Sequence, residues 1–277
     1  MRLSVYNKLN GMESSVSAEL VRETGASMEA IIRHLKGNLP DWLTGYRVKI
    51  LDGNALGASE HRLKPLRDSS SAPLPGKSLV VLDPSLMLAI DVFPCEDGHA
   101  QERSLLPQVL ATALVVAQIY RNRWNIETLF QILTDIFNCE IKTLAYPKAA
   151  LFAFCVALVS YNILSVVLAA LRSVHGIEKI EQEVSSYYLA DEIRGTYRGM
   201  MIAIPQQEWQ VFNQMNLIDL TKILKNLATL VNLAVFLSHP RSTKKTKKWV
   251  MKNRPTKKPH VSTAKILSQN KAQKQTP

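Results

Sequence analysis

The sequence predicts an α/β protein with a helix-rich second half and a basic, disordered tail, and three observations carry that expectation. YRVKILDG at 46–53 and SLVVLDPSLMLAIDVFPCEDG at 78–98 are β-branched, apolar runs bounded by turn residues, the pattern of strands. Apolar residues spaced three and four apart before and after them mark amphipathic helices. From Pro240 to Pro277 there are 12 of the 34 Lys and Arg and no Asp or Glu, so the rest of the chain is near neutral, with 22 basic against 23 acidic residues.

The elements follow in order. Residues 14–36 carry a helical spacing through Val16, Leu20, Val21, Met28, Ile31, Ile32 and Leu35, with a break expected around Gly25-Ala26-Ser27. A loop, GNLPDWLTG, leads into a strand expected to end at Asp52. HRLKPLRDSSSAPLPGK reads as loop, and residues 78–98 as two strands joined at Asp83-Pro84. After Gly98 the pattern turns helical, with a break at Pro107 and a long helix to about Phe137. NCEIKTLAYP is a connector. SSYYLADEIRGTYRGMMIAIP has no clear pattern, and the stretch from Trp209 to Leu237 reads as one or two amphipathic helices.

Residues 149–171, AALFAFCVALVSYNILSVVLAAL, contain no charge and are long enough to span a bilayer. Ser160, Tyr161, Asn162 and Ser165 at the middle of the run favour a buried helix of a water-soluble fold instead. Three cysteines, Cys95, Cys139 and Cys155, make no C-x-x-C pair, which favours a reducing compartment and argues against structural zinc. The opening MRLSVYNKLNGMESS is too polar for a signal peptide. A tail of this kind is expected to bind polyanions by counterion release without reading sequence, the other reading being a solubilising appendage, and Lys244, Lys245, Lys247 and Lys248 are its densest cluster.

The segment YRNRWNIETLFQIL at 120–133 places charges among large apolar side chains. Tyr120, Arg123 and Glu127 fall at i, i+3 and i+7, on one stripe of a helix. On spacing alone this is a surface stripe with a modest ion pair, and Trp124, Ile126, Leu129, Phe130 and Leu133 are the core face.

That stripe, Tyr-(2)-Arg-(3)-Glu, resembles the motif of the insertion-sequence-4 group of bacterial DDE transposases. The DGN that follows the first strand is similar to the place of that group's first catalytic aspartate. VVLDPSLMLAIDVFPCEDGHAQERSLL and NCEIKTLAYPKAALFAFCVALVSYNILS resemble it as well, so the likeness runs over most of residues 5–240.

The resemblance implies a ribonuclease-H-like catalytic core, in which three carboxylates hold two Mg2+ ions against a DNA phosphodiester. It makes Asp52 the first ligand and Glu127 the third, with Tyr120, Arg121 and Arg123 at the DNA backbone. The second aspartate has no counterpart, because Thr112 runs directly into ALVVAQIYRNRW where the family has further strands. Of the other aspartates, Asp83, Asp91 and Asp97 read as structural. The lysine expected at the fourth motif position is replaced by Thr134.

The expected organisation is a helical segment over 1–44, a truncated catalytic domain over 45–238 with a deletion junction near 111–113 and central strands missing, and a disordered basic tail over 239–277. The opening portion also reads as shortened. The leading expectation is a catalytically defective remnant that still binds DNA, cytoplasmic, able to form homo-oligomers and without a small-molecule substrate. A DNA-binding inhibitor of an intact transposase and a single-span membrane protein are the alternatives.

Overall fold

A computed structural model describes residues 2–57, 75–105, 107, 124–141, 146–239 and 262–275. Helices α1 (Arg2–Gly11) and α2 (Ser14–Leu35) are followed by strands β1 (Ile50–Ala55), β2 (Lys77–Asp83) and β3 (Leu88–Cys95). Then come α3 (Trp124–Asp135), α4 (Pro147–His175), α5 (Ile177–Glu183), α6 (Ser186–Ala203), α7 (Gln210–Asn213), α8 (Leu217–Leu230) and α9 (Thr263–Gln275). The fold is mixed α/β and mostly helical, with an antiparallel sheet in the order β1-β2-β3.

β2 is the central strand, buried from Ser78 to Asp83. Val81 pairs with Asp91 and Leu82 with Ala89, so Ile90 is an extra residue that bulges β3. Alternation separates the two faces. Val80, Leu82 and Val92 join the large core built with the helices, whereas Leu79, Val81 and Phe93 form a small cluster with Leu105 on the other face.

The uncharged run is the centre of that large core. α4 packs against α2, β3, α8, α1, α3 and α5. Pro147 occupies its first turn, where the missing N–H costs nothing, and Gly176 ends it at φ +92°. Among the described residues α4 is the one helix long and apolar enough to cross a membrane, with a mean hydropathy of 2.3. Most of its surface is covered by the rest of the protein.

The polar residues in its middle have defined tasks. The Asn162 amide accepts from the N–H of Ala89 and donates to the C=O of Ala89, both at 2.8 Å. Ser165 Oγ donates to the carbonyl of Met87, which lies in the β2–β3 turn at φ +55°. Arg172, 3% exposed, donates from Nε to Glu181 at 2.8 Å and from a terminal nitrogen to the Gly37 carbonyl at 3.3 Å.

The expected break in the first long helix does not occur, and α2 runs unbroken from Ser14 to Leu35. Gly25 is buried, and a Cβ there would sit 3.3 Å from the Ala89 carbonyl oxygen. That glycine permits close approach to β3 rather than a turn. α2 ends at Lys36, at φ 58°, with the Gly37 N–H reaching back to the Ile32 carbonyl. The disordered tail is corrected at its far end, where Thr263–Gln275 forms α9 with Ser262 and Thr263 buried.

Burial pushes the Cys139 thiol up to about 11 and that of Cys155 to about 12, and both side chains are in the core. Cys95 is half-buried. A thiol reagent applied to the native chain near neutral pH therefore labels Cys95 and spares the other two until denaturant is added, which mass mapping of the label reads directly. In a second test, Asn162→Ala leaves two buried backbone groups without partners and lowers stability by about 3 kcal/mol in urea titration. Ser160→Ala, which removes only a bond to the Val156 carbonyl one turn away, changes it by roughly 0.5 kcal/mol or less. Equal losses in the two variants contradict the anchoring role given to Asn162.

Candidate functional site

Asp52 is the third residue of β1, not its last, since the strand continues to Ala55. It pairs with Val80, and directly opposed residues share a face, so Asp52 lies on the side of the sheet that the helices cover. One carboxylate oxygen accepts the Gly53 N–H at 3.0 Å, and the side chain is half-buried. Gly53 turns to the other face. The carboxylate of Glu102 stands against it there, paired with Lys77 at 3.2 Å, and leaves no room for a Cβ.

Glu127 stands in the first turn of α3 and is half-buried. The helix forms because Ile126, Leu129, Ile132, Leu133 and Ile136 make a stripe of three- and four-residue steps, all buried against the large core. Phe130 is only partly buried, so the core face is turned slightly from the one expected. Thr134 is exposed, its hydroxyl donating to the Phe130 carbonyl at 2.9 Å.

α3 packs against β1, which brings the helix of Glu127 beside the strand of Asp52. A further tie holds their far ends together: Glu140 Oε1 accepts the Gly57 N–H at 3.1 Å. The contact links residues 83 positions apart, so no local spacing signals it. Tyr120, Arg121, Arg123, the 111–113 junction and the lysines at 244, 245, 247 and 248 lie outside the described residues.

The remaining aspartates are engaged elsewhere. Asp83 is fully buried, accepts the N–H groups of Ser85 and Leu86 and the Ser85 hydroxyl, and holds Arg47 at 2.7 Å. Asp91 pairs with Arg22 at 2.6 Å, and Asp97 accepts the His99 N–H at 2.9 Å. Among the described residues no three His, Cys, Asp or Glu side chains converge on a position that suits a metal ion. The described residues therefore do not fit the three-carboxylate, two-ion arrangement that the resemblance implies.

The described part of the tail adds positive charge at a different place. Lys271 and Lys274 of α9 line a cleft of about 400 Å3 with Tyr146 and Lys148 at the start of α4. Lys148 is held by Glu13 at 2.6 Å, and that bond raises its pKa above the ordinary lysine value.

Residues 21–163 match the model of the transposase DDE domain, which is over half the chain, so the protein belongs to the DDE transposase family. That segment takes in α2, the whole sheet, α3 and the first half of α4, including both Asp52 and Glu127. No curated protein and no solved structure matches the chain.

The ion-pair network behind the sheet generates a pH prediction. Arg47 bridges Glu29 and Asp83, both at 2.7 Å, and Arg33 adds a second bond to Glu29. Burial acts to raise the Glu29 pKa, but the hydrogen bonds from Arg47 and Arg33 outweigh it and hold the carboxyl below its usual value. A depressed carboxylate pKa contributes stability that is present above the unfolded value and lost as pH falls through the folded one. Arg47→Met should therefore lower the urea midpoint most near pH 7, and the difference from wild type should shrink as the pH falls and Glu29 takes up its proton. A loss that does not change with pH assigns Arg47 a packing role only.

Proposed function

We propose that the chain is a catalytically defective member of the insertion-sequence-4 group, retaining DNA binding and lacking the second catalytic aspartate. Its core is a ribonuclease-H-like sheet from which the central strands have been lost. Asp52 and Glu127 are the surviving first and third carboxylates. The observation that carries this reading is the packing of α3 on β1, which sets the two motif carboxylates on adjoining elements of one face. The direct run from Thr112 into ALVVAQIYRNRW supports the loss, since residues 103–119, which lead into the Tyr-Arg-Glu helix, contain no Asp or Glu.

Two carboxylates do not make a clamp for two ions. Octahedral Mg2+ takes its few protein ligands from carboxylates, and each ion of a pair needs its own share. What the chain keeps is charge. The 12 basic residues after Ser238 neutralise phosphates one by one, giving affinity that does not depend on base sequence. A product that occupies DNA without cutting it competes with an intact relative, and this gives the inhibitor reading its mechanism. DNA is then the partner, Mg2+ the ion of intact relatives, and the cytoplasm the place of action.

The experiment pairs a nicking assay on supercoiled plasmid in Mg2+ or Mn2+ with gel-shift titration of duplex DNA across salt. The full chain produces no nicking above a chelator control and binds DNA with a log–log salt slope of about −4 or steeper, on the order of 0.9 per phosphate contacted. Metal-dependent nicking that disappears in Glu127→Gln overturns the proposal and restores an active nuclease. Affinity independent of salt removes the tail as the source of binding.

A further inference from the structure

A second cavity lies on the same helix as Glu127. It measures about 470 Å3, within the range of roughly 300–1,000 Å3 usual for small-ligand sites, and sits between α3 and the start of α6. Thr128, the residue after Glu127, and Gln131, a turn further on, form one wall. The opposite wall is the Ser185–Tyr188 turn together with Ser238 and His239.

That second wall is built, not incidental. Val184 and Leu237 form an antiparallel bridge, the Ser185 N–H donates to the Phe236 carbonyl at 2.8 Å, and the Ser238 N–H donates to the Glu183 carbonyl at 2.7 Å. Ser185 caps α6 by accepting the Tyr188 N–H. These bonds hold two segments some 50 residues apart in sequence at a fixed spacing.

Its chemistry is specific. Among the described residues lining the cavity there is no Asp, Glu, Lys or Arg, only hydroxyls, one amide, a histidine, two tyrosines and two aliphatic side chains. Tyr187 and Tyr188 are 40% and 43% exposed, high for large rings in a folded body. Tyr187 meets Tyr188 edge-on at 6.1 Å and 82°, and Tyr188 meets His239 at 6.2 Å and 63°. In each such contact the edge of one ring meets the face of the other, so one ring of each pair keeps its faces clear of that neighbour. Exposed aromatic faces beside neutral donors and acceptors suit a flat, uncharged, hydrogen-bonding group, which is the description of a nucleobase. A phosphate meets no lysine or arginine among those described lining residues.

We propose that this cavity takes an unpaired base of a single DNA strand, stacked on Tyr187 or Tyr188 and held at its polar edge by Gln131, Thr128 or the serine hydroxyls. The site deepens the DNA-binding reading and rests on it. The basic tail supplies affinity for any phosphate backbone, and the cavity adds a preference for DNA that has a free base. The preference places a strand end or an opened duplex next to Glu127.

The test uses the full chain and fluorescence anisotropy with two probes, an oligo(dT) of about 15 nucleotides and a duplex of similar length. The wild type binds both. Tyr187→Ala/Tyr188→Ala weakens oligo(dT) binding by about 10-fold or more, the loss expected of base stacking, while duplex affinity changes by less than about 2-fold. The double Tyr→Phe variant keeps the rings and stays within about 3-fold of wild type on both probes. Gln131→Trp, which fills the mouth from the α3 side at an exposed position, reproduces the selective loss without touching the tyrosines. Losses equal on both probes, or no loss in a variant with a native circular dichroism spectrum and melting curve, overturn the cavity assignment and leave tail-driven binding standing. A wild type that binds neither probe at low salt overturns the DNA reading itself, and this inference with it.

Discussion

The fold depends on how one helix serves the backbone of the strand it covers. Among the described strands β3 lies at the edge of the sheet and carries a bulge, and the N–H and C=O of Ala89 need partners in a place that water does not reach. Asn162 supplies both. Three residues on, Ser165 takes up the Met87 carbonyl in the preceding turn, and seven further on, Arg172 reaches the Gly37 carbonyl beyond the end of α2. These positions lie on one stripe of α4, so a single helix rotation satisfies a strand edge, a turn and a helix end together. Apolar burial alone would fix the depth of α4 in the core but not its register. The directional bonds fix the register, and the position of everything stacked on α4 follows from it.

The same stripe decides between the two readings of the uncharged run. Twenty-three residues without charge satisfy a bilayer and a protein core alike by length. Asn and Ser in mid-span discriminate, because an unsatisfied amide is costly in hydrocarbon, while here each polar group meets a backbone partner. That much is legible in the sequence from Ser160, Tyr161, Asn162 and Ser165. The identity of the partners is not, since Ala89 and Met87 lie more than 70 residues away.

Other readings divide along the same line between local and distant causes. The hairpin at Asp83-Pro84 is legible because its turn chemistry is local, with the Asp83 carboxylate closing the turn on Ser85 and Leu86. The stripe of α3 is legible from period at Ile126, Leu129 and Leu133, with Ile132 and Ile136 buried in place of Phe130, while the side chain of Trp124 lies outside what the structure describes. Gly25 misleads because a glycine that breaks a helix and one that lets a strand approach look alike in sequence, and only the Ala89 carbonyl tells them apart. The strand reads as ending at Asp52 because the next residues, Gly53 and Asn54, are turn formers by propensity. Their pairing with Leu79 and Ser78 overrides that preference. The helix at Thr263–Gln275 is hidden by composition, since a lysine-rich stretch reads as unfolded unless its first turn is buried, as Ser262 and Thr263 are.

Asp52 and Glu127 show how a sheet and a helix each place a carboxylate. A strand fixes a side chain's face by alternation, so Asp52 reaches the helical side only because Val80 opposite it belongs to that core. A helix fixes a side chain by rotation, so Glu127 is half-buried because its neighbours Ile126 and Leu129 are driven wholly inside. Neither placement needs a metal, and each follows from burying apolar residues on both sides of the acid. A third acid would need a strand of its own beside this sheet, and the described strands, three in one antiparallel set, already assign their acids to turns and ion pairs: Asp83 to its turn and Arg47, Asp91 to Arg22. Moving either toward a metal would break the contact it makes, Asp91 with α2 through Arg22 and Asp83 with its own turn and Arg47.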